Sequence, residues 1–230
     1  ALSTLEKELN RTLLGQDRAV EAVTKAIRRG RLGLKDPRRP VGCFLLLGPS
    51  GLGKTQLCRS LASALFGSQE ALLRFDMSEY MEAHSVSRLI GSPPGYVGHE
   101  EGGQLTERVR KNPWSVVLLD ELEKAHRDVW SILLQVMEEG VLTDAQGTDF
   151  RNTVLVMTSN LGARRFGKSQ SLGFHTGGQA EREELERAVL ADARSTFAPE
   201  FLNRLDATLV FHPLERDTLV QIARQVLLET

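Results

Sequence analysis

The chain has 230 residues, of which 41% are hydrophobic and 26% charged; this excludes a disordered chain, a collagen and a coiled-coil rod, and it allows one large domain with a buried core. Lys+Arg total 29 and Asp+Glu 30, so the net charge is −1, without the overall basic excess of a dedicated nucleic-acid binder. No apolar run approaches the roughly 20 residues of a membrane span, and residues 1–8 lack the apolar core of a secretory signal.

Strand-like and helix-like segments alternate along the chain. Residues 41–47 form a continuous apolar run between Pro40 and Gly48, as expected of a strand buried on both faces. A helical pattern follows over 54–66 and ends at Gly67. Residues 72–76 make a weaker strand candidate. The stretch 93–103 is dense in glycine and proline and reads as a loop. Residues 115–120 predict a second buried strand, 127–139 a helix ending at Gly140, and 153–158 a third buried strand. Residues 166–178, rich in Gly, Ser and polar side chains, read as a second long loop. A helix is expected over 181–197, ending before Pro199, then a strand over 207–211 and a helix over 214–228. The alternation predicts an α/β fold with three layers and a mostly parallel, five-stranded sheet. Residues 1–212 are expected to form the main unit, and 213–230 the first helix of a second, helical subdomain that continues beyond this sequence. The cysteines, Cys43 in an apolar run and Cys58 in a helical pattern, form no disulfide framework and are expected as small buried hydrophobes.

The strongest chemical signal is Gly48-Pro49-Ser50-Gly51-Leu52-Gly53-Lys54-Thr55, a G-x-x-x-x-G-K-[ST] phosphate loop. It lies where its mechanism requires, after a strand and opening a helix. Backbone N–H groups and the helix N-terminus cradle phosphate oxygens, Lys54 reaches the β- and γ-phosphates, and the Thr55 hydroxyl ligates Mg²⁺. Asp120 and Glu121 follow the apolar run of the second buried strand. Alone, such a pair is an ordinary strand end. With the phosphate loop, Asp120 is expected to hold Mg²⁺ and Glu121 to polarise a water, since ligands of such sheets bind at the strand C-termini. Asn160 ends the next run and admits two readings, a group that orients the water or a turn residue. Arg204 is a surface charge or an arginine finger acting on another subunit. Tyr96, between Gly95 and Val97-Gly98, either packs on the body or grips a ligand. The five histidines show no metal-ligand spacing with one another or with the cysteines. The basic residues between Lys25 and Arg39 suit a nucleic-acid patch, subunit contacts or a solvated face equally.

Taken in order, these residues resemble the second ATPase module of the Clp family of AAA+ protein unfoldases, closest to its ClpC and ClpB types. The resemblance rests on Leu14-Gly15-Gln16-Asp17, the phosphate loop, Asp76-Met77-Ser78-Glu79-Tyr80, Gly91-Ser92-Pro93-Pro94-Gly95-Tyr96-Val97-Gly98, Asp120-Glu121-Leu122-Glu123-Lys124-Ala125-His126, Thr158-Ser159-Asn160 and Phe201-Leu202-Asn203-Arg204. It implies an AAA+ P-loop NTPase that uses ATP and Mg²⁺, is cytoplasmic, and works as a homohexameric ring on unfolded or misfolded proteins, with no membrane or nucleic-acid partner. Leu13 and Leu14 would line the adenine pocket. Glu121, Asn160 (as sensor 1) and Arg204 (as the finger) would be catalytic. Tyr96 with Val97 would be the pore loop that contacts the translocated chain. Leu172-Gly173-Phe174 resembles the hook by which ClpC-type unfoldases dock on a ClpP-type peptidase; the other reading is a loop anchor packed on its own domain. The resemblance implies adaptor proteins as further partners. It also leaves a stand-alone disaggregase of the ClpB type as the alternative; Gly95-Tyr96-Val97-Gly98 and the near-zero net charge stand against a nucleic-acid-acting ATPase, and a small-molecule kinase lacks an acceptor site and leaves Tyr96 and Arg204 unexplained. The sequence departs from the family pattern in a shortened stretch over 147–151, in Ala198 where Arg is usual, and in Gln56 where Glu is usual. The family's sensor 2 motif would lie past residue 230.

Overall fold

The computed structural model describes residues 2–92, 102–143, 147–171, 179–213 and 216–228. In chain order these give α1 (Leu2–Thr12), α2 (Asp17–Arg31), β1 (Gly42–Leu47), α3 (Lys54–Phe66), β2 (Leu72–Asp76), α4 (Val86–Ile90), α5 (Gln104–Lys111), β3 (Val116–Asp120) and α6 (Arg127–Glu139). They continue with β4 (Val141–Leu142), β5 (Thr148–Asp149), β6 (Val154–Ser159), α7 (Ala163–Ser171), α8 (Gln179–Thr196), α9 (Pro199–Asn203), β7 (Ala207–Val210) and α10 (Arg216–Leu228).

The five expected strands form one sheet in the order β2-β3-β6-β1-β7, and its four pairings are parallel. β4 and β5 make a separate antiparallel ribbon. Strand side chains alternate between faces, and here both faces are covered. Cys43, Leu45 and Leu47 of β1 point with Val117, Leu119, Leu155 and Met157 into one core, which α5 and α6 close with Leu105, Val109, Leu133 and Val136. Phe44 and Leu46 point the other way, with Leu118 and Val156, onto Leu9 of α1, Val23 and Ile27 of α2 and Leu61 of α3. This two-sided burial explains why β1, β3 and β6 are apolar without alternation. Truncating a core leucine such as Leu45 to Ala costs about 2–5 kcal/mol at sites of this kind.

Helices α3 and α6 keep the predicted bounds because Gly67 (φ 79°) and Gly140 (φ 68°) end them in the left-handed conformation. The long loop expected over 166–178 is corrected in part. α7 runs on to Ser171, anchored by Phe166, which is buried in the first core. Gly102 bridges back to Gly91, and Gly103 precedes α5 directly. Both cysteines are unpaired and fully buried, and burial pushes the Cys43 thiol up to about 12. Among the described residues, no helix is long and apolar enough to cross a membrane.

The chain reverses direction across the sheet at β1. From β1 it crosses to the far edge at β2, comes back inward through β3 and β6, and then passes β1 to β7 on the other side. That switch point opens a crevice at the strand C-termini.

Candidate nucleotide site

Every strand of the described sheet ends at the same edge, and three of them deliver polar residues to one cleft. The cleft has a volume of about 370 Å³. Ser50, Gly51, Gly53, Lys54 and Thr55 line one side, and Asp120, Glu121, Thr158 and Asn160 line the other, with Arg74 and Asp76 from β2.

The phosphate loop is built by backbone geometry. Gly48 has φ 133°, and a Cβ there would lie 2.7 Å from the carbonyl oxygen of Phe211, so only glycine fits between β1 and β7. Gly53 has φ 99° and caps α3. The first helical hydrogen bond runs from the Leu57 N–H to the Gly53 carbonyl, at 2.9 Å. The amides of Lys54, Thr55 and Gln56 therefore have no partner within the helix, as at any helix start. Nothing lies within 4 Å of a Cβ placed on Gly51. The loop is thus an open cradle of donors at a positive helix end, and these residues fit a polyphosphate. Gly48, Pro49 and Leu52 complete the loop without lining the cleft.

Lys54 is 7% exposed. Its ammonium donates to the Gly48 carbonyl and, at 3.3 Å, to Asn160 Oδ1. Burial pulls its pKa down, and Glu123, Asp120 and Glu121 oppose that pull. Across the cleft, the register sets Leu119 opposite Met157, which brings Asp120 beside Thr158. The Thr158 hydroxyl donates to Asp120 Oδ1 at 2.9 Å and accepts from the Glu121 N–H at 3.2 Å. Arg74 Nε donates to Asp120 Oδ2 at 2.5 Å. Among the described residues Glu121 is the one non-glycine in the left-handed region, at φ 59°. Such strain at a strand end concentrates at functional sites. Its Oε1 accepts from Asn160 Nδ2 at 3.4 Å, and its Oε2 meets the Lys124 ammonium at 2.6 Å. On β2, hydrogen bonds from the Ser78 N–H and hydroxyl hold Asp76 below the usual carboxylate range.

Asp120 and the Thr55 hydroxyl share this cleft, an oxygen pair of the kind Mg²⁺ takes when phosphates and water complete its shell. Among the described residues no group of three or more His, Cys, Asp or Glu is placed to hold a metal alone.

The structure brings Lys54, Thr55, Asp120, Glu121 and Asn160 together and leaves other expected residues apart. Leu13 is buried against the loop, with its Cδ2 3.1 Å from a Cβ on Gly53, and Leu14 is half-buried; neither lines the cleft. Arg204 is outside this cleft too. It is half-exposed and pairs with Glu138 at 2.7 Å. Tyr96, Val97, Leu172, Gly173 and Phe174 lie outside the described residues. Of the departures from the family pattern, Gln56 sits in the cleft, and Ala198 is the residue before α9.

Three contributors went unassigned in the sequence. Arg74 was read only as part of a strand. Gln16 links the phosphate loop to the end of β7: its Nε2 donates to the carbonyls of His212 at 2.9 Å and Leu52 at 3.4 Å. Glu123 accepts the Asn160 N–H on its Oε1 at 3.1 Å.

Residues 39–208 match the AAA domain (Cdc48 subfamily). The chain belongs to this nucleotide-binding family. It is 54% identical over 224 residues to the negative regulator of genetic competence ClpC/MecB of Bacillus subtilis, a match covering 96% of this chain and 28% of that protein. It is also 54% identical over 224 residues to the chaperone protein ClpB of Oceanobacillus iheyensis, with the same coverage. To the ATP-dependent Clp protease ATP-binding subunit ClpC of Staphylococcus epidermidis it is 53% identical over 226 residues, covering 96% of this chain and 27% of that protein. This is a Clp-type AAA module, and it spans little more than a quarter of the length of the curated relatives it matches.

Proposed function

We propose that this module is an ATP-hydrolysing motor that unfolds and translocates protein chains as a homohexameric ring and passes them to a ClpP-type peptidase. The observation that carries the reading is the meeting of the phosphate loop, Lys54, the Thr158-held Asp120 and the Asn160-contacted Glu121 in one cleft.

In this mechanism the loop amides and Lys54 bind the β- and γ-phosphates. Thr55 and Asp120 would hold Mg²⁺, which when bound neutralises phosphate charge. Glu121 takes the proton of the attacking water, and the Asn160 amide orients that water beside it. Arg204 lies outside its own cleft and pairs with Glu138, which suits donation to a neighbouring copy, where it stabilises the charge of the transition state. Leu13 and Leu14 flank the base side, through Leu13 packed on Gly53. Tyr96 and Val97 grip the translocated chain, and Leu172-Gly173-Phe174 docks the peptidase. The setting is cytoplasmic, and adaptor proteins supply substrates. Residues 1–212 act as the nucleotide-binding subdomain and 213–230 open a helical one.

A second reading is a stand-alone disaggregase, favoured by the equal identity to a protein named ClpB. One experiment separates the two. The full-length protein carrying this module, with ATP and a ClpP-type peptidase, is given a fluorescent unfolded substrate. Degradation by wild type that is lost in Phe174→Ala, with ATP turnover retained in both, supports the peptidase motor. Robust turnover without degradation in either overturns docking and leaves the disaggregase.

A further inference from the structure

Beyond the phosphate contacts, the cleft depends on where Asn160 sits. Its side chain reaches two groups at once, Lys54 Nζ at 3.3 Å and Glu121 Oε1 at 3.4 Å. Both distances are at the long end for hydrogen bonds, so a small rotation would lose one of them. The main chain must therefore fix the residue. Asn160 follows the last residue of β6, where the ladder no longer provides a partner. Its N–H is instead taken by Glu123 Oε1 at 3.1 Å, from the turn that Glu121 itself initiates. That turn is well tied down. The Lys124 N–H donates to the Glu121 carbonyl at 3.0 Å, and Trp130 Nε1 donates to the Leu122 carbonyl at 3.0 Å.

The second oxygen of Glu123 is buried and, among the described residues, has no hydrogen-bond partner. A buried carboxylate oxygen left unpaired is costly, so the acceptor that Glu123 Oε1 supplies to the Asn160 N–H is kept against that cost. The geometry points to Glu123 as a positioning residue: through the Asn160 backbone it sets the Asn160 amide between Lys54 and Glu121, and so aligns the attacking water with its base. This rests on the ATP-hydrolysis reading of the cleft, and it assigns to Glu123 a role in turnover and not in nucleotide binding.

The test compares steady-state ATP hydrolysis by the full-length protein with that of Glu123→Leu, Glu123→Asp and Glu123→Gln. Leu removes the acceptor at similar size. Asp withdraws it by one methylene and guards against a Leu variant that fails to fold. Gln keeps an acceptor oxygen at the same reach. Leu and Asp are expected to lower kcat by about 10- to 100-fold with KM within twofold, and Gln to return kcat to within about threefold of wild type. A kcat within twofold of wild type in both Leu and Asp overturns the assignment. So does a rise in KM at constant kcat, or a Gln variant as slow as Leu. Wild type without any ATP turnover overturns the cleft reading and this proposal together; turnover in wild type that the Leu and Asp variants keep overturns the proposal alone.

Discussion

At the N-terminal end of the sheet, Lys35 and Asp206 meet at 2.5 Å, and both side chains are largely buried. Asp206 Oδ2 also accepts the Cys43 N–H at 2.7 Å, which ties the start of β1 to the approach to β7. Arg39 donates to the carbonyls of Met137 and Arg204, and Arg151 pairs with Asp149 at 2.8 Å. A cavity of about 300 Å³ opens among these residues, beside Trp114. Its cations are basic in name but occupied in fact. At the C-terminal end the pattern inverts. Glu121 is held in a left-handed conformation, Glu123 keeps a buried oxygen without a partner among the described residues, and burial pulls the Lys54 pKa down. Two ends of one sheet, both lined with charged groups, thus divide the labour. Charge pairs tie the strand starts together at one end, and at the other Lys54 and the loop amides stand where a phosphate would bind. A polar cluster is therefore a better guide to function when it borders an open cradle of donors than when it is merely dense.

Variants at each end break or sharpen this contrast. The largest effect is expected at Arg204, a residue outside its own cleft. Arg204→Ala should lower ATP turnover of the assembled protein by about 10³-fold, as removal of an arginine finger does. Loss of its exposed pair with Glu138 should change stability by less than about 1 kcal/mol. Mixing this variant with Glu121→Gln subunits should restore part of the activity if the arginine acts on a neighbour, and none if it acts in its own chain. Turnover and urea midpoints measured together check both halves.

Glu121→Gln comes next. It keeps the shape and the Asn160 contact but removes the base. Turnover should fall by about 10²- to 10⁴-fold while a fluorescent ATP analogue still binds within severalfold of wild type. Lost binding would mean that Glu121 belongs with the phosphate-holding groups.

Much of this arrangement was legible before any coordinates. β1, β3 and β6 declared themselves as apolar runs because both sheet faces are covered, and α3 and α6 ended where glycine permits φ > 0. The phosphate loop and Asp120-Glu121 were legible because their chemistry is local in sequence. What stayed hidden is non-local. Gln16 acts through a carbonyl 196 residues away, and no spacing rule finds such a bond. Glu123 acts through the Asn160 backbone, 37 residues on, and in sequence it is one more carboxylate in an acidic turn. The polar composition of 166–171 predicts loop where α7 runs. Among the described side chains of α7, Phe166 supplies the burial, with its ring 6.1 Å from that of His212. Tertiary packing overrode local propensity there.

The opposite end of the sheet offers the reverse experiment. Asp206→Ala leaves the Lys35 ammonium without its carboxylate and the Cys43 N–H without its acceptor. Breaking a largely buried pair on one side typically costs about 3–5 kcal/mol. The urea midpoint should drop accordingly while kcat, measured where the protein remains folded, stays within about threefold. A kcat loss larger than the stability loss explains would erase the division between the two ends.

The smallest effect is expected where a charge pair is satisfied but exposed. Arg165 on α7 clasps Asp192 on α8 through two hydrogen bonds, at 2.6 and 2.7 Å. The guanidinium holds the Asp192 carboxyl below its ordinary value, so the folded state favours the charged form. The sign follows directly. The pair's contribution is fully present above the unfolded-state value of about 3.9 and is lost as pH falls through the lower folded-state value. Solvent screening limits it to about 0.5 kcal/mol. Asp192→Asn should therefore be less stable than wild type by about that amount at pH 7, by less in 1 M salt, and by progressively less as pH falls through the lower folded-state value. A difference that persists undiminished at acid pH would mean that Asp192 stabilises α7 by packing or by a neutral hydrogen bond. Satisfied charges at this surface would then owe their effect to shape, and the contrast with the cleft would rest on burial alone.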